Sequence, residues 1–224
     1  KLNIALIGCG NWGKNIARNL HQIGALACIY DANQNLSKKL NQNFKLHDYT
    51  INDIFRNENI QALVIASSAK THRDIAEEAL KNNKDVLIEK PFCLSLNDAI
   101  TLSKLAIKKN KVLMAGHLLN YHNAFIKMQD LIKEGKIGET KNIRAQRLAL
   151  GAIRSHESVI YDLAVHDVSM ILAIMQELPV KINAHSIHHN TNIGPDAVSV
   201  KLTFKTGATA LISCDWMCPY KEHK

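Results

Sequence analysis

Aromatic side chains are scarce in this chain, 5% of its 224 residues, so platforms for stacking single-stranded nucleic acid are few. No apolar run reaches the length of about eighteen residues that a membrane-spanning helix requires. No block of about five or six like charges occurs either. The formal net charge is +8, but the lysines are spread along the whole length. Such a distribution argues against a dedicated nucleic-acid patch, whereas a diffusely basic surface can still attract a small anion. The five cysteines (Cys9, Cys28, Cys93, Cys214 and Cys218) are odd in number and scattered, which argues against a disulfide framework. A reducing, cytoplasmic setting is the simplest expectation. The opening residues KLNIALIGCG run straight into a strand pattern, without the basic, apolar and small-residue order of a signal peptide.

What is present is the composition of a globular protein, 46% hydrophobic and 21% charged. In the first half, short apolar strands alternate with helical patterns. Strands are expected at Leu2–Ile7, Ala25–Tyr30, Ala62–Ala66, Val86–Ile88 and Val112–Ala115. Helices are expected over Trp12–Ile23, Asn33–Gln42, Thr71–Lys81 and Ser95–Asn110, with Thr71/Asp74 and Ser95/Asp98 spaced as capping boxes. Alternation of this kind predicts βαβ units and a parallel sheet with ligands at the carboxyl ends of its strands.

The pattern changes near His117. A helix at Asn123–Glu134, a long strand at Lys141–Leu150 and a helix at Val159–Glu177 are followed by three strand-like runs. These are Val180–His188, Ala197–Phe204 and Ala208–Trp216, the last two joined by a turn at Lys205-Thr206-Gly207. The fold class expected is therefore α/β. An N-terminal domain built on a parallel sheet over residues 1–118 precedes an α+β domain with a largely antiparallel open sheet over 119–224. About four strands are expected in that sheet, with the last one at an exposed edge.

Residues 4–13 read IALIGCGNWG, in which Gly8, Gly10 and Gly13 form G-x-G-x-x-G between a strand and a helix. In that context the first glycine permits a tight turn, the second lets a pyrophosphate approach the backbone, and the third lets helix and strand pack closely. Asn11 and Trp12 lie in the same turn. The helix N-terminus offers N–H groups to phosphate. Asp31, closing the second strand, can accept hydrogen bonds from the adenosine ribose and would repel a 2′-phosphate, so NAD is expected over NADP. The plain alternative is a tight turn beside a solvated aspartate.

DVLIEKPFCL, residues 85–94, is a strand that ends in Glu89, Lys90 and Pro91. At the ligand edge of a parallel sheet, a lysine restricted by the following proline can stabilise a forming alkoxide. A surface salt bridge at a strand end is an equally simple reading. YDLAVHD, residues 161–167, places Asp162 and His166 on one side of a helix. Histidine is suited to move a proton near neutral pH, with the carboxylate orienting it or stabilising its charge. Asp167 falls on another side and reads as structural. A helix-surface ion pair is the alternative.

These three motifs together, in this order, resemble the Gfo/Idh/MocA family of NAD(P)-dependent oxidoreductases, whose members act mostly on sugars and polyols. The resemblance implies that Lys90, Asp162 and His166 line a substrate site as catalytic residues and that Glu89 lies near the nicotinamide ribose. It also implies that the loop Ser67-Ser68-Ala69-Lys70-Thr71-His72 contacts the cofactor, with Ser67, Thr71 and His72 as its binding residues. A Rossmann dinucleotide-binding domain over residues 1–118 is implied as well, and the open sheet of the second domain is implied to form a homo-oligomer.

Residues 147–167, RLALGAIRSHESVIYDLAVHD, resemble a branch acting on nucleotide-linked amino sugars, in which Arg147, Gly151 and Arg154 precede the Asp-x-x-x-His helix. GHLLNYHNAF, residues 116–125, resembles the same branch, with His117 implied at the substrate and Asn123 standing where that branch has proline. The implied reaction is oxidation at C3 of a UDP-N-acetylhexosamine or its uronic acid. A free polyol or inositol is the alternative substrate, and a dinucleotide-binding regulator without turnover is the alternative class. No nucleic-acid or membrane partner is expected. No metal is expected: Cys214, Cys218 and His223 lack a clear fourth ligand, and His185, His188 and His189 read as strand histidines. Family members usually carry further strands beyond DWMCPYKEHK, so the second domain reads as truncated.

Overall fold

The computed structural model describes residues 2–150, 157–188 and 194–224. Gly151, Arg154 and His189 lie outside the described residues. Two compact units divide the chain, Lys1–Gly116 and His117–Lys224.

In the first unit, β1 (Ile4–Ile7), β2 (Leu26–Tyr30), β3 (Ala62–Ile65), β4 (Asp85–Glu89) and β5 (Leu113–Gly116) form one sheet in the order β2-β1-β3-β4-β5. Every pairing is parallel. Side-chain alternation explains the two covered faces. Ala5, Ile7, Leu63, Ile65, Val86 and Ile88 point into one core with α3 (Ile51–Arg56), α4 (Ala69–Lys81) and α5 (Leu96–Lys109). Leu6, Val64, Leu26 and Ile29 point into the other with α1 (Asn11–Gln22) and α2 (Gln34–Phe44). Strands buried on both sides need near-continuous apolar sequence, and β3, reading ALVI, is buried at all of its residues. The edge strand β2 is closed by a side chain. Asn41 accepts from Ile29 N and donates to Ile29 O, both at 2.9 Å, as a neighbouring strand would.

Three helix starts are instructive. Ser95 caps α5 as the sequence suggests, accepting from Asp98 N. Thr71 does not cap α4. The helix begins at Ala69 after Ser68, so Thr71 lies inside the first turn, where its N–H and its hydroxyl both donate back to Ser68 O, at 2.9 and 2.8 Å. The unforeseen helix α3 carries the capping box formed by Thr50 and Asp53.

In the second unit, α6 (Asn123–Lys133), α7 (Val165–Met175) and five strands make an α+β domain. The strands are β6 (Asn142–Leu148), β7 (Lys181–Ile187), β8 (Ala197–Thr203), β9 (Thr209–Asp215) and β10 (Glu222–His223), in the order β10-β6-β9-β8-β7. Pairing is antiparallel except between β6 and β9. The strand expected at an exposed edge, β9, is interior: it is inserted between β6 and β8, and the short β10 takes the edge beside β6. Val198, Leu202, Ala210, Ile212 and Cys214 meet Ala164 and Ile171 of the helical segment in one core. Among the described residues, no helix is long and apolar enough to cross a membrane.

Candidate active site

The glycine loop is built by close approach. Gly8 has φ +97°, and a Cβ there would lie 2.5 Å from Ser67 N, beyond the end of β3. A Cβ on Gly13 would lie 2.2 Å from Gly8 O. Gly10 differs: nothing stands within 4 Å of where its Cβ would be. Gly10 is also the N-cap of α1, no side chain caps that end, and the first turn carries no acid. Open space beside the uncapped N–H groups of Asn11 and Trp12 fits a dinucleotide pyrophosphate.

Asp31 is tied to the same loop. Its Oδ2 accepts from Cys9 N at 2.8 Å and its Oδ1 from Asn33 N at 2.8 Å. The Cys9 thiol donates to Oδ2 at 3.3 Å. Burial pushes the Asp31 carboxyl upward, but the N–H donors of Cys9 and Asn33 outweigh it and hold the carboxyl below its ordinary value. Burial first, then the Asp31 hydrogen bond and charge, push the Cys9 thiol up to about 12. An ionised carboxylate offers roughly four lone-pair sites, so Asp31 retains capacity for a ribose hydroxyl.

Glu89 and Lys90 stand at the carboxyl end of β4, and the Lys90–Pro91 bond is cis. Glu89 Oε1 accepts from Trp12 Nε1 at 2.9 Å. Glu89 pairs across the sheet with Gly116, where a Cβ would lie 3.0 Å from Oε1. The lack of a side chain at Gly116 is what leaves room for this carboxylate. In the Ser67–His72 loop, the Ser67 and Thr71 hydroxyls are 2.8 Å apart and exposed. His72 is different. It is 1% exposed, and its ring nitrogens lie against the carbonyls of Pro91 and Ser67. Burial holds this imidazole against two carbonyls of its own chain.

In the second unit, His117 precedes a short 3-10 turn at Leu118–Tyr121, and His122 caps α6 by accepting from Ala124 N. Asn123, which stands where the resembled branch has proline, is the first residue of α6, a place that suits proline but does not require it. The expected single helix over 159–177 is compound. Residues Ile160–Ala164 form a π-helix, and the α-helix starts at Val165. Asp162 therefore lies in the wider turn and His166 in the α-helix after it. Asp162 is 7% exposed, and its Oδ2 accepts from Trp216 Nε1 at 3.2 Å. Nothing local in the sequence signals this bond, since Trp216 follows β9, far along the chain.

Arg147 does not present a solvent-facing fork to an anion. Its Nε reaches both carboxylate oxygens of Asp167 at 2.9 Å, and the two side chains are 16% and 4% exposed. Burial raises the Asp167 carboxyl above its ordinary value, with Arg147 partly opposing the rise. The Cys214 thiol lies 3.8 Å from Asp167 Oδ2. The pair lines one part of a groove of about 870 Å³ whose apolar lining includes Phe125, Met128, Ile171 and Ile174.

The chain matches two family models. Residues 2–117 match the oxidoreductase family with an NAD-binding Rossmann fold, GFO_IDH_MocA, and residues 125–224 match the GFO/IDH/MocA C-terminal domain. Among curated proteins it is similar to the 2,7-anhydro-N-acetylneuraminate hydratase of Escherichia coli K12, 23% identical over 99% of this chain and 64% of the relative. It is also similar to the myo-inositol 2-dehydrogenase of Thermotoga maritima, 26% identical over 94% of this chain and 67% of the relative. Among solved structures, the UDP-N-acetylglucosamine 3-dehydrogenase of Acidithiobacillus ferrooxidans superposes with a TM-score of 0.89 at 26% identity, covering 99% of this chain and 72% of that one. The chain thus spans about two thirds of the length of such relatives. With the glycine loop, Asp31 and both family domains in place, NAD is the cofactor of the first unit, and the chain belongs to the Gfo/Idh/MocA oxidoreductases.

Proposed function

We propose that this protein is an NAD-dependent dehydrogenase that oxidises a secondary hydroxyl of a sugar or cyclic polyol. The observation that supports this best is in the first unit. Open ground at Gly10 and the uncapped start of α1 share a sheet edge with Glu89 and Lys90. NAD supplies the hydride acceptor when bound. His166 takes the hydroxyl proton as the C–H bond gives up its hydride, and Asp162 orients the imidazole or stabilises its charge. Lys90 stabilises the developing negative charge on the substrate oxygen. Glu89, held by Trp12, sits near the nicotinamide ribose, and Asp31 accepts from the adenosine ribose.

Two substrate classes compete. The resemblance to the nucleotide-sugar branch gives Arg147, Arg154 and His117 to a UDP-N-acetylhexosamine, oxidised at C3. The ion pair of Arg147 with Asp167 engages one of those cations and favours an uncharged polyol such as an inositol. The solved UDP-N-acetylglucosamine 3-dehydrogenase and the curated myo-inositol 2-dehydrogenase represent both classes at equal identity. A homo-oligomer would form through the open face of the second-unit sheet, where Leu211 and its cross-strand neighbour Lys201 are exposed.

The test is reduced-nicotinamide absorbance with NAD, a carbonyl trap and a panel of UDP-amino sugars and free polyols. His166→Ala should leave NAD binding intact and nearly abolish turnover. Unchanged turnover would remove His166 as the base. Silence across the panel, with NAD bound, would favour the regulator.

A further inference from the structure

His72 belongs to the first turn of α4, yet its side chain leaves that helix. Nδ1 is 2.9 Å from Pro91 O, in the corner that follows β4. Nε2 is 3.1 Å from Ser67 O, in the loop that follows β3. The ring is 1% exposed, so water does not compete for either contact. One carbonyl belongs to the residue after Lys90. The other belongs to the residue whose hydroxyl meets Thr71 at 2.8 Å on the exposed side of the loop. One rigid ring therefore spans the loop expected to touch the cofactor and the corner that carries Lys90.

We propose that His72 is a positioning residue that couples the Ser67–Thr71 loop to the Lys90-Pro91 corner, so that cofactor on the loop sets the place of Lys90. This rests on the reading of Lys90 as a catalytic group. The two ring nitrogens face different segments, Nδ1 the catalytic corner and Nε2 the cofactor loop, and both partners are carbonyl acceptors. A neutral imidazole carries one N–H, so its tautomer favours one carbonyl over the other as donor partner. A shift of the loop carbonyl is then felt at the corner through the ring.

Two near-isosteric changes separate the contacts. In His72→Asn the amide nitrogen takes the place of Nδ1 and reaches Pro91 O, while the Ser67 contact is lost. In His72→Gln the amide nitrogen takes the place of Nε2, and the Pro91 contact is lost. The Asn variant should raise KM for NAD about fivefold, the effect of one hydrogen bond, with a smaller effect on kcat. The Gln variant should do the reverse. Equal losses in both parameters for both variants would mean a merely structural histidine and would overturn the proposal.

A second measurement needs neither variant nor turnover. Ring nitrogen shifts of His72 are recorded by NMR in the wild-type chain as NAD is added. The ring touches no solvent-facing surface, so a shift on NAD addition supports the coupling even where no substrate turns over, and no shift at saturation overturns it. A chain that turns over sugar but shows no such shift loses this inference and keeps the proposed function.

Discussion

The indole N–H of Trp12 donates to Oε1 of Glu89 at 2.9 Å, joining the start of α1 to the end of β4. The two residues are far apart in sequence and meet because a parallel sheet brings the carboxyl ends of its strands to one edge. Trp12→Phe keeps the aromatic bulk and removes the donor. Because Trp12 is 46% exposed, the expected loss is at the low end for a hydrogen bond to a charged group, about 1.5 kcal/mol. It should appear as a higher Kd for NAD in a calorimetric titration. An unchanged Kd would mean that Glu89 holds its place without the indole.

Asp31 is expected to choose the cofactor. Asp31→Ala should weaken NAD about tenfold and NADP less, since a repulsive charge goes with the acceptor. Equal weakening of the two would remove Asp31 from the ribose. The same change has a pH signature. The folded carboxyl lies below its ordinary value, so its contribution to stability is present above about pH 3.9 and is lost as pH falls through the folded value. The stability gap between wild type and variant should therefore narrow in acid, as read by denaturant titrations at stepped pH.

Trp216 should matter to Asp162. Trp216→Phe leaves a carboxylate oxygen in a buried place without its indole donor. The cost expected is about 1–3 kcal/mol, visible in urea unfolding. Turnover should fall further than stability alone explains, because Asp162 then has fewer restraints beside the helix that carries His166. A variant with wild-type kcat would show that Trp216 serves packing alone.

The Arg147–Asp167 pair gives opposite expectations for a structural and a substrate role. If structural, Arg147→Met should cost about 3–5 kcal/mol by leaving Asp167 buried without its cation. Arg147→Met with Asp167→Leu should recover most of that loss. If Arg147 instead serves a nucleotide diphosphate, the single change should raise KM for a UDP-sugar and leave thermal unfolding in place.

Local pattern was enough to locate the strands of the first unit within a residue or two, because each is short, apolar and bounded by turn residues. IALIGCGNWG carried its meaning through spacing, since the glycines act on backbone atoms close to them. The Ser95 cap was equally legible. The Thr71 box failed because the helix already starts at Ala69, which puts Thr71 inside the first turn rather than at its cap. The Thr50–Asp53 box obeyed the same rule and went unread amid polar sequence.

Chain order, periodicity and the glycine turn were settled by residues acting on their near neighbours. Interactions between distant segments were not. β9 sits inside its sheet because β6, much earlier in the chain, pairs with it in parallel. Arg147 turns toward Asp167, and Asp162 toward Trp216, because the core of the second unit brings those side chains into reach. His72 matches a cofactor-loop pattern, yet burial turns its ring onto two carbonyls of its own chain. A sequence pattern names the groups available for chemistry, but desolvation and packing choose each group's partner, and that choice exists only once the chain has folded.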